Sequence, residues 1–272
     1  MAAIGACHKL YQEDSLGKHK ELQTFMKGVF KSRPPVKEIV PQWELGLVMQ
    51  ALVEAPFEPA GDASLKFWTW KTAFLLAITS AARVSELQAL DSNPNLCRVS
   101  RHGADLRLNP AFCPKSCNVN YLNRQIHLQS FYPEPKDNIQ RGLHKLCPVR
   151  ALRYYISKTS NIRVDSQLLL SYQPGAGLGH KINKATVARW IRQTVCLAYE
   201  KAGRPVPQRV RAHQTRALAA SLADLRGVSP ADLCAAATWS SANVFAKFYR
   251  LNLAASERGI STQVLKAAMA VV

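Results

Sequence analysis

Apolar positions recur at helical spacing over most of the chain. Leu22, Phe25, Met26 and Phe30 fall three to four residues apart, so residues 1 to about 32 read as helical. Ser32-Arg-Pro-Pro-Val ends the pattern, because Pro34 and Pro35 cannot continue a helix. A piece of about 30 residues cannot bury its own core. The segment is therefore expected to be the tail end of a larger domain or to pack on the rest of the chain. Leu45, Leu47, Val48, Ala51 and Leu52 mark a helix between Gln42 and Ala55, and Leu65 to Leu76 a more buried one. After Leu90 the pattern shortens and alternates. Cys97-Arg-Val-Ser, Ala104-Asp-Leu-Arg-Leu and Gln125-Ile-His-Leu read as a three-stranded antiparallel sheet, with a turn at His102-Gly103 and a long loop between the second and third strands. Pro148 starts a helix that runs through Val149 to Ile156, and Asn183 caps another over Lys184 to Ala202. Further helices are expected at about 212–226, 230–238, 242–250 and 261–270, punctuated by Gly227 and by Ser229 with Asp232. The fold class predicted is mainly α with a small antiparallel three-stranded β-sheet.

Composition narrows the class. The chain has 272 residues, 47% hydrophobic and 20% charged, which excludes intrinsic disorder, a collagen-like chain and a global coiled coil. Its formal net charge of +18 points to a polyanionic partner, most simply nucleic acid. The longest apolar run, Thr72 to Ala82, is about half a bilayer span, so no membrane association is expected. The seven scattered cysteines read as reduced thiols of an intracellular protein. Cys113 and Cys117, with His102 or His127, match no common zinc-ligand spacing.

Candidate chemistry begins at Ala212-His-Gln-Thr-Arg216. His213 and Arg216, at i and i+3, are expected on one helix face, preceded by Arg204, Arg209 and Arg211 in an acid-free stretch. A guanidinium fork beside an imidazole suits a phosphate, although a solvated basic face has the same composition. Trp239 and Tyr249 are ten residues apart, which would put them on different faces of one helix. The chain must break between them, with Ser240 or Ser241 capping a new helix whose core stripe is Val244, Phe245 and Phe248. Upstream, Arg83 and Glu86 sit at the end of the strongly apolar helix. They form either a buried ion pair or a unit in which Glu86 orients Arg83 towards an external phosphate.

Taken in order, these elements resemble the catalytic domain of the tyrosine recombinases, the family of phage integrases and resolving recombinases. The resemblance runs from about Pro41 to the C-terminus. It implies Arg83, Lys115, His213, Arg216, Trp239 and Tyr249 as catalytic residues, with Glu86 supporting Arg83. Lys115 lies in Phe112-Cys-Pro-Lys-Ser, in the loop where the family keeps a lysine; Lys136 is its rival. The tyrosine follows the tryptophan by ten residues where the family usually has nine, and no other tyrosine follows Trp239. Cys147-Pro-Val-Arg-Ala-Leu-Arg, Leu225-Arg-Gly-Val-Ser and Ala237-Thr-Trp-Ser-Ser with Phe248-Tyr-Arg-Leu look like the recombinases of eukaryotic DIRS-type retroelements.

The resemblance implies transesterification through a 3′-phosphotyrosyl bond, for recombination or integration of a mobile element, with no metal or nucleotide cofactor. It implies double-stranded DNA as partner, a homotetramer on that DNA and a nuclear location. Residues 1–35 would be the remnant of a helical core-binding domain, and 36–272 the catalytic domain. The segment from Arg141 to Arg153, with Lys145, Arg150 and no acid, is expected to meet the DNA backbone together with Arg204, Arg209 and Arg211. Gly175-Ala-Gly-Leu-Gly179 reads as a flexible loop, and Trp68 and Trp70 as core. Two other functions share these residues: nicking and closing by a type IB topoisomerase-like enzyme, and DNA binding by a mobile-element relic that has lost turnover.

Overall fold

A computed structural model describes residues 19–34, 43–113, 125–239 and 241–251. Contacts divide the chain into two compact units, Met1–Ile39 and Val40–Val272. In the first, α1 (Lys20–Ser32) carries no buried residue, and Phe25 and Phe30 are exposed.

The second unit is built around one helix. After α2 (Leu45–Leu52), helix α3 (Leu65–Ser80) is buried along nearly its whole length, from Trp68 to Ile78. Its apolar surface runs all round, as expected of a central helix. Trp68 and Trp70 are core residues, as their sequence context predicts. Helix α4 (Val84–Gln88) leads into β1 (Cys97–Val99), β2 (Gly103–Arg107) and β3 (Gln125–Gln129), paired antiparallel in the order β1-β2-β3. Cys97 faces Leu106, which faces Ile126, and Ala104 faces Leu128. These apolar positions are buried, while Asp105 and His127 pair across the outer face at 2.7 Å.

Helix α5 (Asn138–His144) comes next, then α6 (Pro148–Thr159), α7 (Lys184–Lys201), α8 (Gln214–Leu225), α9 (Pro230–Ala237) and α10 (Ala242–Phe248). Helices α6, α7 and α8 pack on α3, with α2 and α4 on α7. Two caps predicted from sequence are present: Asn183 accepts from the Thr186 N–H at 2.9 Å and Ser229 from the Asp232 N–H at 3.1 Å. Within the loop expected at 175–179, Gly175–Gly177 forms a turn of 3-10 helix. The helix expected at 261–270 lies outside the described residues, as do Lys115 and Ser240. Among the described residues, no helix is long and apolar enough to cross a membrane.

Inside α3 sits a lysine. Lys71 is fully buried; its ammonium donates to Glu58 at 2.5 Å and to the Leu52 carbonyl at 2.8 Å. Arg150 grips the same carboxylate with two bonds, at 2.5 and 3.1 Å. Two cations therefore share one anion. Burial, which outweighs the attraction of Glu58, lowers the Lys71 pKa from 10.5 to about 8, and the charges of Arg150 and Lys145 push the same way. Burial raises the Glu58 pKa, but Arg150 and Lys71 more than offset it and hold the carboxyl below its ordinary value.

Removing the shared anion strands two charges, so Glu58→Ala should cost about 3–5 kcal/mol of stability. Lys71→Met leaves a one-to-one pair and should be neutral or stabilising near neutral pH. Below about 8, Lys71 is charged folded and unfolded, and its desolvation cost is fully felt. Between about 8 and 10.5 the unfolded chain holds the extra proton, so this group makes stability rise with pH. Urea denaturation across that window should show the rise in the parent and its loss in Lys71→Met.

Candidate active site

The site grows from the start of α8. The Gln214 side-chain oxygen accepts from the Trp43 indole N–H at 3.1 Å and the Arg211 N–H at 2.9 Å, fixing where the helix begins. His213 is thus the residue before the helix, at φ −70° and ψ −14°, and its ring is exposed. Arg216, in the first turn, is only 2% exposed.

A buried guanidinium needs oxygens, and Arg216 finds them at two helix ends. One Nη1 hydrogen goes to the carbonyl of Ala81, the residue closing α3, at 2.8 Å. Nη2 donates to the carbonyl of Ala237, the last residue of α9. Both acceptors lie at the negative end of a helix dipole. Glu86 Oε2 is 3.9 Å from Nη1. The guanidinium also lies 5.0 Å from the Trp239 ring centre and 5.4 Å from that of Tyr249.

The sequence places Arg83 and Glu86 at the end of the apolar helix; the structure corrects this. Helix α3 stops at Ser80, Ala81 turns left-handed (φ 49°, ψ 24°), and Arg83 caps a new short helix, α4. Glu86 sits at its third position. It accepts from the Arg83 backbone N–H at 2.7 Å and from Arg83 Nη1 at 2.7 Å. This is a capping box closed by a glutamate that is also an ion-pair partner. Both alternatives for the pair start from this contact: Glu86 is buried, while the Arg83 side chain keeps 27% exposure. Arg83 Nη1 also donates to Thr238 Oγ1 at 3.1 Å. Thr238 is itself left-handed, at φ 51° and ψ 44°. A non-glycine residue held so costs of order 1–3 kcal/mol.

Trp239 and Tyr249 meet because the chain breaks between α9 and α10, as their spacing requires. Ser241 takes the capping position, though its side chain makes no cap bond. Helix α10 ends at Phe248, so Tyr249 is the residue after the helix rather than inside it. Its ring centre is 4.7 Å from that of Trp239, in a small cluster with Phe245, Leu233 and Ala220. The tyrosine backbone is tied to α8: Ser221 Oγ donates to the Tyr249 carbonyl at 3.3 Å and accepts from the Leu251 N–H at 2.9 Å. Arg250 pairs with Asp224 at 3.1 Å. The Trp239 indole N–H is buried with no hydrogen-bond partner among the described residues. An unmet buried donor costs about 1–3 kcal/mol, a cost that an incoming acceptor removes.

The remaining predicted residues stand apart from this cluster or outside the description. Arg209 and Arg211 are exposed, before α8. Arg204 is exposed too, but the stretch that looks acid-free in sequence is not so in space, since Arg204 meets Glu44 at 2.9 Å. Arg141 is exposed on α5, while Lys145 is half-buried with its ammonium 3.4 Å from the Val53 carbonyl. Lys115 lies outside the described residues. Sequence reasoning missed Thr238, Gln214 and the Ala81 and Ala237 carbonyls. A threonine where a helix end favours glycine was the only available signal among these. Among the described residues, no group of three or more His, Cys, Asp or Glu is placed to hold a metal ion.

The arrangement gathers cations and a free donor in one place. Two guanidiniums against one carboxylate leave an excess positive charge, flanked by an unmet indole donor and a tyrosine.

No family model matches the chain, and no curated protein matches it. Solved structures do. The chain is similar to the XerA recombinase (16% identity, TM-score 0.50, covering 87% of this chain and 66% of that one). It is also similar to a lambda integrase dimer bound to a COC′ core site (14% identity, TM-score 0.46, covering 83% and 52%). The chain thus spans just under two thirds and about half of those two proteins. The fold, mainly helical with one three-stranded antiparallel sheet, is the tyrosine recombinase catalytic fold expected from the sequence.

Arg216 and Arg83 should separate in a stability measurement. Arg216→Ala strips a buried cation from two helix-end carbonyls and is expected to cost about 3–5 kcal/mol. Arg83→Ala, at a part-exposed position, is expected to cost about 1–2 kcal/mol. Thermal and urea unfolding of the two variants checks the order.

Proposed function

We propose that this chain breaks and rejoins DNA strands by transesterification, with Tyr249 as nucleophile. The observation that carries the proposal is the convergence of Arg83, Arg216, Trp239 and Tyr249, from separate parts of the chain, around one anion seat. The recombinase fold supports it.

In this reaction the Tyr249 oxygen attacks a scissile phosphodiester. The tyrosine oxygen–phosphorus bond forms, the bond from phosphorus to the 5′ oxygen breaks, and a 3′-phosphotyrosine and a 5′-hydroxyl result. His213 accepts the tyrosine proton or donates a hydrogen bond, and Lys115 protonates the leaving 5′ oxygen. Arg83 and Arg216 hold the non-bridging oxygens, and the Trp239 indole N–H donates to one of them. Glu86 orients Arg83. The bond energy stays in the phosphotyrosine, so attack by another 5′-hydroxyl completes strand exchange without a nucleotide.

The substrate we assign is double-stranded DNA, met by Arg209 and Arg211 beside α8 and by Arg141, with smaller contributions from Arg204 and Lys145. The setting we infer is recombination or integration of a DIRS-type mobile element in the nucleus, by a homotetramer assembled on DNA. This setting rests on the sequence motifs at Cys147–Arg153, Leu225–Ser229 and Ala237–Leu251. Residues 1–35 are taken as the end of a helical core-binding domain and 36–272 as the catalytic domain.

Nicked or bridging-phosphorothiolate duplexes incubated with the chain should yield a covalent protein–DNA band on a denaturing gel. The band should disappear in Tyr249→Phe and form about 10–100-fold more slowly in Trp239→Phe. An adduct that survives Tyr249→Phe overturns the assignment of the nucleophile. DNA binding with no adduct from any substrate leaves a DNA-binding relic. Binding should weaken steeply with salt, and Arg209→Ala and Arg211→Ala should each lower the log–log slope by about 1.

A further inference from the structure

Thr238 holds a conformation its side chain disfavours. The carboxyl end of α9 closes with the Trp239 N–H on the Cys234 carbonyl at 2.9 Å and the Thr238 N–H on the Ala235 carbonyl at 3.2 Å. That closure needs a left-handed residue, a role glycine fills without strain and a β-branched residue does not. What threonine adds over glycine here is a hydroxyl. The hydroxyl donates to the Ala237 carbonyl at 2.7 Å, so its lone pairs are what Arg83 Nη1 meets at 3.1 Å. The same Ala237 carbonyl takes Nη2 of Arg216. One short turn thus supplies an acceptor to each arginine. The two hydrogens of Arg83 Nη1 go to oxygens on different elements, Glu86 Oε1 and Thr238 Oγ1, which fixes the plane and direction of the guanidinium.

We propose that Thr238 is a positioning residue whose hydroxyl aims Arg83 at the scissile phosphate, and that the left-handed threonine is kept for this purpose. The proposal rests on the strand-cleavage function above. It differs from a packing role in sign, because replacing the threonine by glycine relieves the backbone while slowing the chemistry.

The test uses the full chain and Thr238→Gly, Thr238→Val and Thr238→Ser. Four quantities are read: the thermal midpoint, DNA Kd, single-turnover adduct formation at saturating nicked duplex, and the Arg83 side-chain N–H signal by nitrogen-15 NMR, assigned through Arg83→Lys. Thr238→Gly should melt no lower than the parent and bind DNA within about twofold, yet form adduct about tenfold more slowly. Thr238→Val, which keeps the branch and lacks the hydroxyl, should be as slow, and Thr238→Ser should stay within about threefold of the parent. The Arg83 signal should broaden in the Gly and Val variants alone. Parent-like cleavage by the Gly and Val variants, or a serine variant as slow as glycine, overturns the proposal. An Arg83 signal unchanged by loss of the hydroxyl also overturns it while leaving the cleavage function intact. A parent chain that forms no adduct removes the cleavage function, and this role with it.

Discussion

A guanidinium with almost no exposure to water sets the terms for the rest of the site. Arg216 must be met by oxygens, since an unmet buried cation costs several kcal/mol, and the fold meets it with the ends of two helices. For the Ala81 and Ala237 carbonyls to face it, α3 and α9 must both stop there. Both stop through left-handed residues that are not glycine. The turn after α3 is what makes Arg83 the cap of a new helix, and the turn after α9 is what sets Trp239 beside Arg216. Arg83, Glu86, Thr238 and Trp239 are therefore placed by a single requirement, the solvation of one cation by protein.

That requirement also explains which parts of the structure are legible in the sequence. Asn183 and Ser229 cap their helices by contacts three residues away, so their roles can be read locally. The break between Trp239 and Tyr249 follows from helical geometry alone. The end of α3 cannot be read this way. Ala81 and Ala82 are good helix formers, and the partner of the Ala81 carbonyl, Arg216, is 135 residues away. Lys71 reads as an interruption of an apolar run; its partner Glu58 lies in a proline-flanked segment with no regular element to announce it. Helix α5 escapes sequence reasoning for a different reason. Its Asp137 cap is local, accepting from the Gln140 N–H at 2.7 Å, but the helix buries nothing, so there is no apolar stripe to find.

The charge of +18 likewise divides once the fold is known. Lys71 and Arg150 share a carboxylate, Arg216 is enclosed by carbonyls, and Arg163 donates to the Gln167 and Leu168 carbonyls at 3.0 and 3.2 Å. These cations hold the fold together. Arg141, Arg209 and Arg211 are exposed, and such groups are the ones able to exchange counterions for phosphates. Arg204 falls between, facing Glu44 in an exposed pair of the kind worth little. Burial thus separates the cations that serve the fold from those left open to solvent.

The same distinction separates the two arginines of the site. Arg216 is held by protein oxygens on both sides, so the fold alone sets its orientation. Arg83 keeps part of its surface open, and the oxygens that hold it are a carboxylate and a hydroxyl. A part-exposed group is the harder one to keep aimed. The fold answers with a buried carboxylate on one side and a strained threonine on the other, both tied to turns that Arg216 itself fixes. Orientation of the exposed arginine is thus derived from burial of the other, and the tyrosine lies against the buried one, where position is best defined.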